Sequence, residues 1–364
     1  MFDTRVHLVG GFLGSGKTTA IAAAARHLID SETRVGVITN DQGRYLVDTL
    51  FMRMQDLPTV EVLGGCFCCN YDDFEEKLSS LETTARPDVI FAESVGSCAD
   101  VVATVLNPLL NLKNTRVASA GLSVFADSRL LAQRMSGSPM PFSEDIVYIF
   151  DKQLEEAGRI VINKADLLDR PKESWLRDAV REMYPGKPVM TQNSLKDRDI
   201  RLWLDALEHD VSRPPDPLED MDYRKYGAGE AELAWLDKEI LLRMEGPNRR
   251  DAVVDMISEI SRSIRDRGWA IGHLKFLIRH GGLEEKVSIT TVQDDGWDEH
   301  LKAPLGSEVR LLINARVAAD VPGLEACVTE ASERSASRTG AEVSLLSEDS
   351  FHPGYPVPTH RMVR

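Results

Sequence analysis

The segment Gly11-Phe12-Leu13-Gly14-Ser15-Gly16-Lys17-Thr18 constrains the fold of this chain more than any other. It follows a β-branched apolar run, RVHLVG, and opens a run with helical spacing from Lys17 to about His27. Without side chains, the glycines let consecutive backbone N–H groups curl around phosphate oxygens at a helix N-terminus. Lys17 adds a point charge and the Thr18 hydroxyl a ligand for Mg²⁺. Gly11, Gly14, Ser15, Gly16, Lys17, Thr18 and Thr19 are therefore the expected phosphate cradle. A plain glycine turn is the alternative, and the full pattern in register argues against it.

Strands and helices continue to alternate. Strands are expected at RVGVIT, TVEVL, DVIFAES, VASAGLSVFAD and RIVIN, and helices near Asp72–Leu81, Glu144–Glu156 and Trp175–Met183. This is the pattern of an α/β P-loop domain, a mostly parallel sheet with helices on both faces, over residues 1–210. Residues 211–222 hold SRPPDPLEDMD, three prolines among acidic residues, and read as a semi-rigid linker. Beyond it, over 223–364, come a strand (Glu232–Arg243), a helix (Arg249–Arg267), strands at IGHLKFLI, KVSITTV and VRLLINARV, a helix around Leu324–Arg334, and a last strand, EVSLL. That order predicts a smaller α+β domain with its helices on one face of an antiparallel sheet.

A length of 364 residues accommodates two such domains. Lys and Arg total 43 against 58 Asp and Glu, a net charge of −15, which speaks against a general nucleic-acid binder. No apolar run approaches the roughly 18 residues of a membrane helix, and the start lacks the plan of a signal peptide, so the expected setting is cytoplasmic with no membrane partner.

Asn163-Lys164-Ala165-Asp166 ends the apolar strand RIVI. A carboxylate at Asp166 can accept two hydrogen bonds from guanine's ring N–H and exocyclic amine, a donor pair that adenine does not present, so GTP and GDP are the expected nucleotides. The alternative is a helix cap at Asp166. Glu93-Ser94-Val95-Gly96 ends another apolar strand. Glu93 is placed to hold the Mg²⁺ shell and the Gly96 N–H to meet a γ-phosphate, although a solvated strand-end Glu is common by itself. Asn40-Asp41-Gln42-Gly43 is a candidate switch loop with Asp41 near metal or γ-phosphate. Lys17, Thr18, Glu93 and Asp41 form the expected catalytic set.

Three of the five cysteines crowd into Cys66, Cys68 and Cys69, directly after a strand and Gly64-Gly65. In extended backbone Cys66 and Cys68 face the same way, and Cys69 joins them only if the chain turns. Two or three soft sulfurs favour Zn²⁺ or another thiophilic ion and leave an open position. A redox pair or simple packing are the alternatives; packing is the expectation for Cys98 and Cys327, which stand alone. The strand before the cysteines and the strand ending at Glu93 are expected to be sheet neighbours.

In their order, GGFLGSGKTT, CFCC, ESVG and NKAD resemble the CobW-type family of P-loop GTPases, metal chaperones related to hydrogenase- and urease-maturation GTPases. AIGHLKFLI, VRLLINARV and FHPGYPVPTHR look similar to that family's smaller C-terminal domain. The resemblance implies a GTP-hydrolysing metallochaperone delivering zinc or cobalt to a client metalloprotein or a metal-cofactor pathway. It implies roles for Gly11, Gly16, Lys17, Thr18, Glu93, Cys66, Cys68, Cys69, Asn163, Lys164 and Asp166. Alternatives are a GTPase assisting maturation of a corrinoid-dependent or other metalloenzyme without carrying metal, and a metal-independent P-loop ATPase or kinase; a homodimer is also left open. Two departures stand out. The family's Asn-Glu-Phe-Gly-Glu loop reads Asn40-Asp41-Gln42-Gly43-Arg44 here, and the His-rich stretch of many members is missing. The scattered His273, His280, His352 and His360 are not expected as ligands.

Overall fold

The computed structural model describes residues 4–43, 47–112, 117–210, 215–292, 296–302 and 306–363. The chain divides into two compact units. The first comprises Met1–Gln42, Asp48–Gly229 and Tyr355–Arg364, and the second Gly43–Val47 with Glu230–Gly354.

The first unit is built on seven strands: β1 (Thr4–Gly10), β2 (Val35–Asp41), β3 (Thr59–Leu63), β4 (Val89–Glu93), β5 (Val117–Asp127), β6 (Arg159–Asn163) and β7 (Val189–Gln192). They pair in parallel in the order β3-β2-β4-β1-β5-β6-β7. Consecutive residues of β1, β2 and β4 are buried, as expected of strands covered on both faces. Helices fall at Lys17–Asp30, Tyr71–Thr84, Glu144–Glu156 and Arg170–Met183, close to the expected places. The helix Lys17–Asp30 turns its alanines and Ile21 to Val9, Val37 and Phe91 of the sheet, and Trp203, from a helix at Asp197–Asp210, closes the same core against Phe91 and Phe125.

Register sets the positions of the chemistry. Val9 pairs with Glu93 of β4 and Ser123 of β5, and Asp127 pairs with Asn163. The loop after Gly10, Glu93 and Asn163 therefore all leave the same, C-terminal edge of the sheet, where the strand order reverses about β1. Strands β3 and β4 are not neighbours as expected, because β2 lies between them. Asn40 and Asp41, at the end of β2, thus stand between the cysteine segment and Glu93.

The second unit is an antiparallel sheet of β8 (Leu233–Arg243), β9 (Ile271–His280), β10 (Leu283–Ile289), β11 (Glu308–Ala318) and β12 (Glu342–Phe351) in the order β10-β9-β11-β8-β12. Alternate residues, among them Leu236, Phe276 and Ile313, form one apolar cluster with the helices Arg249–Asp266 and Val321–Thr339. The period-2 pattern of those strands made this half legible.

Three features depart from expectation. A helix at Tyr223–Ala231, not anticipated after the proline-rich stretch, lies mostly in the first unit, and so does the closing segment Tyr355–Arg364. Gly43, counted with the candidate switch, clusters with the second unit; Arg44 lies outside the described residues.

Candidate nucleotide and metal site

The phosphate loop has the backbone its glycines permit. Gly11, Gly14 and Gly16 have φ of 122°, 73° and 91°, a region that residues with a side chain rarely enter. A Cβ on Gly11 would strike the Phe125 carbonyl, and one on Gly16 would strike the Asn163 amide. Gly16 caps the helix Lys17–Asp30 with no side-chain acceptor, so the first N–H groups of that helix are available to an anion. The Lys17 ammonium donates to the carbonyls of Gly11 at 2.7 Å and Phe12 at 3.3 Å. Ser15 Oγ is buried with no hydrogen-bond partner among the described residues, a donor suited to a phosphate oxygen. Thr19 follows Thr18 in the first turn of the helix and is half-buried.

Thr18 Oγ1 donates to Glu93 Oε1 at 2.9 Å, and both side chains are buried. A hydroxyl beside a carboxylate is a hard oxygen pair that fits Mg²⁺, so Thr18 and Glu93 would hold that ion. Asp41 is the last residue of β2, paired in register with Leu63.

At the end of β6, Asn163 donates to the Ser15 carbonyl at 2.8 Å and accepts from Ser194 N–H at 3.2 Å and Ser194 Oγ at 2.8 Å. Ser194, in the loop after β7, was not anticipated; its short strand carries a weak pattern. Lys164 takes a φ of 56° and lies 3.1 Å from Asp127. Burial raises the Asp127 carboxyl, but Arg129 and Lys164 outweigh it and hold the group below its ordinary value. Asp166 is exposed in the turn Ala165–Leu167, and the cap of the next helix is Asp169. Asp166 is thus free of the capping role that was its competing explanation.

The cysteine segment turns. Gly64 has a φ of 73°, and Cys69 N–H and Asn70 N–H both donate to the Cys66 carbonyl, at 3.1 and 2.9 Å. All three sulfurs lie within 4.8 Å of one another, with Cys66 and Cys68 2.8 Å apart and Cys68 and Cys69 3.9 Å apart. Donation from Cys68, then from Cys69 and Cys98, holds the Cys66 thiol well below its usual range. Hydrogen bonding to Cys66 raises Cys68 well above the usual range; Cys69's own bond to Cys66, with burial, pushes it up to about 11 against the opposing effect of Cys68. Cys66 is thus the most acidic of the three thiols, in a set suited to exchange protons for a soft cation.

Two supports of this loop were missed in the sequence. Asn40 donates to the Gly65 carbonyl at 2.7 Å and accepts from Phe67 N–H at 2.9 Å, gripping the segment on both sides of Cys66. The closing segment does the rest: Thr359 donates through N–H to Cys68 O at 2.8 Å and through Oγ1 to Cys69 O at 3.1 Å, and the His360 ring stands edge-on to Tyr71. Cys98 also departs from expectation. It does not stand alone, for its thiol meets those of Cys66 and Cys68.

The loop after Glu93 is tied down along its length. A Cβ on Gly96 would lie 2.6 Å from Leu13 of the phosphate loop, and Gln153 Nε2 donates to the carbonyls of Gly96 at 3.0 Å and Cys98 at 2.8 Å. Asp100 holds a φ of 64°, and the wholly buried Glu156 accepts from Val102 N–H at 3.0 Å. Burial pushes the Glu156 carboxyl up to about 8, against the pull of backbone N–H groups. A raised carboxyl binds its proton in the folded state. Its stabilising contribution is full below about pH 4.5, the unfolded value, and is lost as pH rises through about 8. The stability advantage of wild type over Glu156→Gln should therefore shrink by about 1.4 kcal/mol per pH unit between these limits. Urea unfolding of both proteins at pH 5, 6, 7 and 8 checks this; a constant difference would show that Glu156 is ionised in the fold.

Among the described residues no helix is long and apolar enough to cross a membrane. The "Zinc chaperone CobW" of a Sinorhizobium species is 28% identical over 207 residues, 51% of this chain and 57% of the relative. The "Zinc chaperone YeiR" of Escherichia coli strain K12 is 31% identical over 170 residues, 45% of this chain and 47% of the relative. The chain thus spans about half the length of these curated relatives. A solved structure of HypB from Helicobacter pylori in complex with nickel is 15% identical, with a TM-score of 0.41, and the match covers 57% of this chain and 86% of that one. Residues 5–191, which contain the phosphate loop, the three-cysteine turn, Glu93 and the Asn-Lys-x-Asp strand end, match the model of the CobW/HypB/UreG nucleotide-binding domain, and the chain belongs to that family.

Proposed function

We propose that this chain is a GTP-hydrolysing metallochaperone that binds a thiophilic ion, zinc before cobalt, at Cys66, Cys68 and Cys69. Nucleotide state governs whether the ion is held or passed to a client metalloprotein or metal-cofactor enzyme. The observation that carries this reading is the convergence of three sulfurs within 4.8 Å beside the phosphate loop's own edge of the sheet. Zinc precedes cobalt because the relatives are named zinc chaperones. Free thiols in this number suit a reducing, cytoplasmic setting.

In this reading the Lys17 ammonium leaves the Gly11 and Phe12 carbonyls for the β- and γ-phosphates, and Ser15 Oγ and the helix N–H groups complete the cradle. Thr18 and Glu93 hold Mg²⁺, which neutralises charge between the phosphates when bound. Gly96 N–H meets the γ-phosphate, Asp41 lies at the switch, and Asn163, Lys164 and Asp166 frame guanine. Asn40 links the switch strand to the cysteine turn, so a displacement of β2's end is felt at Cys66.

The test is reciprocal titration. Zn²⁺ and Co²⁺ are titrated into protein loaded with GDP or with a non-hydrolysable GTP analogue, and each nucleotide into metal-loaded protein. A coupling of about 1–3 kcal/mol, roughly 5–150-fold, should appear equally in both directions. Equal metal affinity in the two nucleotide states would refute the chaperone mechanism.

A further inference from the structure

Cys98 lies outside the three-cysteine segment, on the loop that follows Glu93 and Gly96. Its side chain is buried, at 3% exposure, and neighbours Cys66 and Cys68, although it stands outside the group of three sulfurs that lie within 4.8 Å of one another. The backbone that presents it is fixed at several points. Cys98 N–H donates to Val95 O at 3.0 Å, Gln153 to the Cys98 carbonyl, and Ala99 N–H to the Tyr226 hydroxyl at 3.2 Å. Two residues on, Asp100 adopts a left-handed φ that a side-chain-bearing residue holds only when its surroundings impose it. Tyr223 Oη and Arg361 Nε impose it, each donating to Asp100 Oδ2 at 2.7 Å.

The closing segment joins the two cysteine-bearing loops. Thr359 is bonded to the Cys68 and Cys69 carbonyls, and Arg361, two residues later, is bonded to Asp100. One short stretch of chain thus staples both cysteine-bearing loops.

We propose that Cys98 is a fourth ligand, so that Cys66, Cys68, Cys69 and Cys98 form a four-sulfur site for a thiophilic divalent ion, one sulfur being carried by the nucleotide-facing loop. This rests on the metal reading above and deepens it. Four thiolates in tetrahedral array select Zn²⁺ over oxygen-seeking ions. Zn–S bonds of about 2.3 Å place sulfurs roughly 3.8 Å apart. Cys68 and Cys69, at 3.9 Å, already meet that spacing; Cys66 and Cys68, at 2.8 Å, part by about 1 Å, and Cys98, outside the 4.8 Å group, closes in to seat the ion. Thiolate ligation releases protons, so metal binding weakens as pH falls. Because Gly96 packs on Leu13 of the phosphate loop, a shift of Gly96 toward a γ-phosphate moves Cys98 with it and turns a closed four-sulfur site into an open three-sulfur one.

The test begins with wild-type protein loaded with Zn²⁺ in the GDP state. X-ray absorption fine structure should fit four sulfurs at about 2.3 Å; three sulfurs with a lighter atom overturns the proposal. In Cys98→Ser the sulfur-to-metal charge-transfer intensity of bound Co²⁺ should fall by about a quarter, one thiolate in four. Its Zn²⁺ affinity should fall by more than the 10–100-fold typical of losing an outer-shell partner. Cys327→Ser, altered in the other unit, is the control and keeps wild-type metal affinity. Should Cys98→Ser fail to fold, the wild-type sulfur count decides alone. The Cys66/Cys68/Cys69 triple-Ser protein separates the two readings. If it loses metal while Cys98→Ser keeps it in full, only the fourth ligand falls; if it too keeps metal, the cluster reading falls.

Discussion

Lys17→Ala should lower GTP affinity by roughly two to four orders of magnitude while the protein stays folded. Each hydrogen bond between a charged donor and acceptor contributes about 1.5–3 kcal/mol, and the phosphate-loop lysine makes two, one to each terminal phosphate. Ten-fold in affinity corresponds to about 1.4 kcal/mol. The fold survives because the Lys17 head group donates to the Gly11 and Phe12 carbonyls of the phosphate loop itself and lies outside the apolar core. Those carbonyls lose a donor, a local cost of about 1 kcal/mol. Calorimetry with GTP and thermal unfolding of both proteins check the two halves. Unchanged affinity would remove the phosphate-loop assignment, and collapse of the fold would show that Lys17 is structural.

The parts of this architecture legible in sequence are those where one local rule decides. Buried parallel strands such as VIFAE show as unbroken apolar runs, and helix Glu144–Glu156 begins at Ser143, whose hydroxyl accepts from Ile146 N–H, so its start is marked by a cap. The helix at Tyr223–Ala231 was obscure because Gly227 and Gly229 depress helix propensity. Both are there for packing: a Cβ on Gly227 would meet the Tyr355 ring at 2.5 Å, and one on Gly229 the Asp145 carbonyl at 2.5 Å. Such contacts depend on chain far away in sequence.

The same distinction divides the site. Lys17, Thr18, Glu93 and Asn163 occupy spacings fixed by strand ends, so their grouping follows from the parallel sheet once that sheet is recognised. Cys98 has no spacing relation to Cys66, and only the fold brings its thiol to the cluster. The expectation of simple packing for Cys98 rested on its isolation in sequence, which carries no information about neighbours in space. Thr359 lies 290 residues from Cys69, and its hydroxyl gives no local sign of the bond it makes there. The order of strands mattered too. With β2 between β3 and β4, Asn40 becomes the residue that connects switch and cysteines, which pairwise reading of the two motifs could not supply.

In the second unit, Arg316→Met should destabilise the sheet by about 3–5 kcal/mol, the cost of leaving one member of a buried ion pair uncompensated. Arg316 Nη1 lies 2.7 Å from Asp237 Oδ1, and neither side chain has any exposed surface. Asn314 Nδ2 donates to the same carboxylate oxygen at 2.8 Å, and the guanidinium lies 3.9 Å over the Trp235 ring. The pairing is cross-strand: Asn314 stands opposite Asp237 and Arg316 opposite Trp235, so the charges bind the two central strands through their side chains as well as their backbones. Removing the guanidinium leaves the Asp237 carboxylate in a low-dielectric interior without the Arg316 charge, while the neutral Asn314 amide keeps its hydrogen bond. Removing both charges is milder, since apolar groups of similar volume need no counterion; Arg316→Met with Asp237→Leu should recover most of the loss. Hydrogen exchange of β8 and β11 amides is the suitable measurement, because the two units need not unfold together and a single midpoint could mix them. A loss below about 1 kcal/mol in the single variant would place the pair in the range of exposed salt bridges. A double variant less stable than the single would show that the ion pair contributes net stability beyond what apolar packing can replace.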